Sequence, residues 1–196
     1  MSTLSTNLNT KSTHALVWVD LEMTGLDPKV DKILEIAVIV TDANLNILTS
    51  PSSGRAGLEM AIFQEDVVLR NMNDWCKKTH AESGLIEKVR QSSWTEASAE
   101  QAIIQFLSEF ISPKSAPLCG NSIWQDRRFL CEYMTALDNF LHYRCVDVST
   151  IKELARRWNP ELLTQFQKKS THTALSDIEE SIAELRFYWD KGFVGG

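Results

Sequence analysis

The chain has 196 residues, with 20 Lys or Arg against 26 Asp or Glu, for a formal net charge of −6. That length supports one ordinary domain with a full hydrophobic core, and 43% apolar with 23% charged residues describes a folded chain. The acidic balance argues against a protein that coats long DNA or RNA through many Lys and Arg contacts. It leaves room for a nuclease that grips a short substrate through metal ions. No apolar run is longer than Ile36 to Val40, which is too short to cross a bilayer. Residues 1–13 are rich in Ser, Thr and Asn, with one Lys and no Arg, so neither a signal-peptide core nor an Arg-rich transit peptide is expected. Cys76, Cys119, Cys131 and Cys145 form no Cys-x-x-Cys pair, which excludes zinc-ribbon and thioredoxin spacings. Reduced, buried thiols and a cytoplasmic protein are expected.

In chain order, residues 1–13 read as a loose tail, 14–190 as a single domain and 191–196 as a fraying end. Ala15 to Leu21 is β-branched and apolar, a buried strand. Gly25 and Asp27-Pro28 mark a turn. Ile33 to Thr41 reads as a second strand and Leu45 to Leu48 as a third. Ser50 to Gly57 reads as a loop. Ile103, Ile104, Leu107, Phe110 and Ile111 follow the helical period, predicting a helix over 97–111. Leu118-Cys119 is a short strand. Ser122-x-x-Gln125 has the form of a capping box opening a helix through Met134. Arg144 to Val148 is a further strand, followed by a helix from near Ser149. A last helix runs from about Ala174 to Trp189. Strands followed by alternating strands and helices indicate an α/β sheet domain.

Asp20 and Glu22 lie two apart at the end of an apolar strand, so they share a face. Two such acids repel each other and lose hydration, a cost that a divalent cation offsets; taken alone, they fit a solvated turn equally. Asp126 falls in the first turn of the helix after Gly120-Asn121-Ser122, where the helix dipole alone favours an acid. Asp177 falls in the first turn of the last helix, five residues after His172. Four carboxylates would be neutralised by two Mg²⁺ or Mn²⁺ ions. A neutral His with an ordinary pKa of about 6.5 could take a proton from a water.

Asp20-x-Glu22, the segment from Gly120 to Leu130 around Asp126, and His172-Thr-Ala-Leu-Ser-Asp177 resemble the three motifs of the DEDDh 3′→5′ exonucleases. The strings Asp20-Leu-Glu-Met-Thr-Gly-Leu-Asp-Pro28, His142-Tyr-Arg-Cys-Val-Asp-Val-Ser149 and Ile151 to Trp158 resemble bacterial oligoribonucleases in particular, over roughly Ala15 to Tyr188. The resemblance implies a ribonuclease H-like mixed β-sheet flanked by helices. It implies two metals on Asp20, Glu22, Asp126 and Asp177, with His172 as general base. The implied reaction is 3′→5′ hydrolysis of very short single-stranded oligoribonucleotides to nucleoside 5′-monophosphates, with no long duplex as partner.

By the same resemblance, Leu26 would wedge against bases and Trp75 would contact the substrate. Ser122, Arg144, Ser149 and His80 would close on the 5′ phosphate, and Tyr143 would act from the second subunit of a homodimer. Residue by residue, plainer roles are open: Ser122 and Ser149 as helix caps, Arg144 in a surface ion pair, His80 at a helix start with Thr79-x-x-Glu82, Trp75 as a buried aromatic. Trp124 and Ser176 depart from the pattern, where a small residue and a second acid are expected, and the segment 49–57 is longer than usual. Competing readings are a proofreading or trimming exonuclease on longer DNA or RNA, and a non-catalytic nucleotide-binding module.

Overall fold

In the computed structural model the described residues are 14–166 and 173–193; the expectations for 1–13, His172 and 194–196 lie outside them. Five strands form one mixed sheet: β1 (Leu16–Met23), β2 (Ile33–Thr41), β3 (Gly57–Ala61), β4 (Pro117–Gly120) and β5 (His142–Asp147). Their order across the sheet is β3-β2-β1-β4-β5. β2 is antiparallel to both β1 and β3, whereas β4 runs parallel to β1 and β5.

The period-2 alternation of β1 splits its side chains between two helical layers. Val17, Val19 and Leu21 face one core with α4 (Glu96–Leu107) and α5 (Ile123–Tyr133), through Ile103, Phe106, Phe129 and Leu130. Trp18 faces the other core, with α7 (Val148–Trp158) and α9 (Ala174–Asp190), through Val148, Ala155, Ile178, Ile182 and Tyr188. Asp20 and Glu22 continue the Trp18 side, so the strand delivers both acids toward α9. A bulge in the β1–β2 register falls between Glu22 and Met23, ending regular pairing beside the acids. A third cluster joins Leu34 of β2 to α1 (Asp66–Asn71), α2 (Asp74–Glu82) and α3 (Leu85–Gln91). Two short helices, α6 (Thr135–Phe140) and α8 (Pro160–Leu163), complete the described elements. Among the described residues no helix is long and apolar enough to cross a membrane.

Several local expectations are corrected. Leu45 to Leu48 is not a strand: the Asp42 carboxylate accepts from the Asn44 and Asn46 amides, both at 2.8 Å. The resulting tight turn leaves a single bridge, Thr41 to Ile47. The third strand is β3, which starts at the residue where a loop was expected to end. The Ser122–Gln125 capping box does not form, because Ser122 has φ 53° and its side chain caps nothing. Its amide instead donates to the Asp147 carboxylate at 2.9 Å, and Asp147 rather than Ser149 caps α7. Thr79 to Glu82 ends α2 instead of opening a helix, and Trp75 is exposed instead of buried. Of the four thiols, all free, Cys76 and Cys119 are buried as expected, whereas Cys131 and Cys145 are exposed.

Candidate active site

Asp20 and Glu22 of β1 and Asp177 of α9 converge: each offers a carboxylate oxygen, and these atoms lie within 4.8 Å of one another. Asp177 reaches this point because α9 begins there. Thr173 and Ser176 form a reciprocal capping box, so the serine found where a second acid was expected serves the helix start. The Asp177 amide donates to the Thr173 carbonyl at 2.9 Å. A carboxylate in this first turn is also favoured by the helix dipole.

Asp126, in the first turn of α5, is buried and accepts a hydrogen bond from the Leu21 amide at 3.0 Å. That bond ties it to the strand position between Asp20 and Glu22. Gly120 permits the approach: a Cβ there would lie 2.9 Å from the Val19 carbonyl oxygen.

Burial and mutual repulsion dominate the electrostatics of Asp20 and Glu22. Burial, reinforced by the charges of Asp126, Glu22 and Asp177, pushes the Asp20 carboxyl well above the usual range. Burial and the neighbouring Asp177 raise Glu22 to about 7. Burial raises Asp126 to about 7, opposed by the Leu21 amide. Carboxylates this close are stable in ionised form when a cation lies among them. An oxygen-only donor set of this kind suits a hard divalent ion.

A fifth acid was missed at the sequence level. Glu35 sits directly opposite Glu22 in the β1–β2 register and is 2% exposed. The Lys88 ammonium stands 3.5 Å away. Burial and Glu59 raise the Glu35 carboxyl, opposed by the charge of Lys88. Glu59 in turn accepts from the Leu175 amide at 3.3 Å. The Glu59 carboxylate thus holds an amide in the first turn of α9, the helix that carries Asp177. The available signal was an acid within a strand whose nine residues are all buried.

His80, on α2, is buried. Its Nε2 lies 2.9 Å from the Met23 carbonyl oxygen and its Nδ1 lies 3.8 Å from Glu22 Oε2; burial lowers its pKa. The Ser122 and Ser149 hydroxyls meet at 3.2 Å, and Ser149 also donates to Asn121 Oδ1 at 3.0 Å. Leu26 is exposed at the tip of the turn after β1, with its carbonyl held by Gln125 Nε2 at 2.6 Å. Trp75 is exposed on α2. Tyr143 is exposed on edge strand β5, with the Arg144 guanidinium 5.6 Å from its ring centroid. The structure therefore gathers Asp20, Glu22 and Asp177, with Asp126 tied to the same strand and His80 beside Glu22; it pairs Ser122 with Ser149 and leaves Trp75, Tyr143 and Arg144 exposed.

The exonuclease family model matches residues 17–185. An oligoribonuclease of Haemophilus ducreyi is 53% identical over 92% of this chain and 96% of its own length. One of Photobacterium profundum is 55% identical over 94% and 99%, respectively. The chain belongs to the oligoribonuclease family. The oligoribonuclease of Shewanella amazonensis is 56% identical over 91% of the chain and 95% of its own length. Among solved structures, exonuclease I of Methylocaldum szegediense superposes with TM-score 0.67 at 20% identity, covering 92% of this chain. E. coli exonuclease I in complex with a dA16 oligonucleotide gives 0.68 at 15%. This chain spans 41% of each exonuclease I chain, so the likeness shows the shared ribonuclease H-like fold. Dependence on a divalent metal follows from the exonuclease family together with the acid cluster.

Proposed function

We propose that this chain is a 3′→5′ exoribonuclease that degrades very short oligoribonucleotides, down to dinucleotides, to nucleoside 5′-monophosphates. The observation that carries the reading is the convergence of Asp20, Glu22 and Asp177 within 4.8 Å, in a chain similar to oligoribonucleases along nearly its whole length. Asp20, Glu22, Asp126 and Asp177 would hold two Mg²⁺ or Mn²⁺ ions. Bound ions of this kind supply Lewis-acid stabilisation of the charge that builds on a scissile phosphate.

The chain's own residues do the rest. The Leu21 amide and the start of α9 fix two of the acids before substrate arrives, so little reorganisation accompanies reaction. His172, five residues before Asp177 in sequence, is the proposed base that takes a proton from the attacking water, a role worth about 10²–10⁴-fold in rate.

Leu26 and Trp75 present apolar surface to bases. The Ser122–Ser149 hydroxyl pair, with Arg144 and with His80 as the wall beside Glu22, closes on the 5′ phosphate and limits length. Tyr143 acts from a second copy in a homodimer, a role supported by its exposure on the sheet's edge strand. Four free cysteines are in keeping with the cytoplasm.

The test is hydrolysis of a 5′-phosphorylated RNA dinucleotide and a twenty-mer in Mg²⁺, in Mn²⁺ and in chelator. Metal-dependent release of mononucleotides, faster from the dinucleotide, is expected. A preference for the twenty-mer, or no hydrolysis of either, would overturn the proposal.

A further inference from the structure

Glu184 of α9 is a carboxylate with 0% exposure that the hydrolytic chemistry does not use. Its Oε1 accepts from the Tyr188 hydroxyl at 3.2 Å and lies 3.4 Å from the Lys152 ammonium. Its Oε2 accepts from Asn121 Nδ2 at 3.2 Å. The same Nδ2 donates to Ser181 Oγ at 2.8 Å, and Ser181 donates to the Asp177 carbonyl at 2.9 Å. Because a carboxylate only accepts, Asn121 turns its amino group to Glu184 and its Oδ1 to Ser149.

Asn121 thus stands between a buried acid and the serine pair. The Asp147 carboxylate takes the Ser122 and Ser149 amides, each at 2.9 Å, and so fixes their backbones. It does not fix their hydroxyls, which can turn among three staggered positions. The bond from Ser149 Oγ to Asn121 Oδ1 at 3.0 Å selects one of these, and in that arrangement Ser122 Oγ lies 3.2 Å from Ser149 Oγ. Asp147 also sets a negative charge beside an incoming phosphate, so binding there depends on well-aimed hydroxyls.

We propose that Asn121 is a positioning residue for the 5′-phosphate subsite, clamped by Glu184 and Ser181 so that it aims the Ser149 hydroxyl. The role rests on the exoribonuclease reading above and adds to it side chains that act through Ser149.

Its test compares kcat/KM on RNA dinucleotides bearing a 5′ phosphate or a 5′ hydroxyl, for the wild type, Asn121→Ala, Glu184→Ala and Glu184→Gln. Lost stability lowers both rates alike, so the ratio between the two substrates reports the subsite alone. In Asn121→Ala the ratio falls about 10- to 150-fold, the range for one hydrogen bond to a charged group. Glu184→Ala moves in the same direction, and Glu184→Gln, which keeps an acceptor oxygen for Asn121, retains most of the ratio. Adding Glu184→Ala to Asn121→Ala lowers it no further, because the acid acts only through Asn121. An unchanged ratio in Asn121→Ala or Glu184→Ala overturns the proposal, as does a double variant that falls below Asn121→Ala. A Gln variant that falls as far as Glu184→Ala overturns it too, by assigning the effect to the charge beside Lys152. Should Glu184→Ala fail to fold, Asn121→Ala carries the test. A wild type with equal rates on both dinucleotides refutes the phosphate reading of the serine pair itself, and the positioning role with it.

Discussion

Removing divalent metal turns the acid cluster into a pH-dependent liability, and its size follows from the site. Glu22 in the folded protein titrates near 7, against 4.5 for the ordinary side chain. Between those values the folded state holds a proton that the unfolded chain has released, so stability falls as pH rises. The contribution is fully present below 4.5 and is lost as pH passes about 7. With each tenfold in proton affinity worth about 1.4 kcal/mol, Glu22 alone makes the chelated protein about 3 kcal/mol less stable at pH 8 than at acid pH. For a chain of this size that is a fall in Tm of about 6–12 °C. Asp126, also raised to about 7, acts in the same direction. The two share one field, so together they give less than twice the single effect. The assay is thermal unfolding in EDTA from pH 5 to 8, for the wild type and Glu22→Gln. The variant cannot release this proton, and its Tm falls less with pH. In saturating Mn²⁺ the trend reverses, because the ligands bind as carboxylates and binding stabilises the fold. Parallel curves for wild type and Glu22→Gln in EDTA would refute the reasoning.

Asp126→Ala removes one acid from the site; hydrolysis of the dinucleotide is expected to vanish while far-UV circular dichroism stays native, and activity at the wild-type rate would remove Asp126 from the site. His172→Ala is expected to slow hydrolysis about 10²–10⁴-fold and to abolish the acid limb of the pH–rate profile, with Mn²⁺ binding by calorimetry largely kept. Glu59→Ala frees an amide in the first turn of α9, a loss of about 0.5–1.5 kcal/mol for one hydrogen bond; weaker Mn²⁺ binding is expected, substantially restored in Glu59→Gln, which keeps an acceptor oxygen. Arg144→Ala is expected to lower kcat/KM on a 5′-phosphorylated dinucleotide more than on a twenty-mer, and equal losses would detach Arg144 from the phosphate.

Where local physics decides, the sequence was readable. The apolar run from Ala15 to Leu21 marked a strand, the spacing of two put Asp20 and Glu22 on one face of it, and the structure keeps them on one strand. The periodicity from Ala174 onward located α9 and put Asp177 in its first turn. Asp126 was legible as a first-turn acid of α5, though nothing local showed it bonded to Leu21, which lies 105 residues earlier.

Failures came where a distant or competing partner won. Ser122 looked like a cap, but Asp147, 25 residues later, takes its amide and turns the backbone left-handed. Leu45 to Leu48 looked like a strand, but one Asp42 carboxylate closes a turn first. α1 and α3 span only six and seven residues, too few for a helical period to stand out from noise.

From the sequence alone came the apolar rhythms, the one-sided placement of the acids and their order along the chain, because strand alternation and helical repeat are properties of near neighbours. The tertiary structure decided the distances among residues 20, 22 and 177 and the anchoring of α9 by Glu59. Burial and charge act through space, and the segments that supply them meet only when the sheet is assembled.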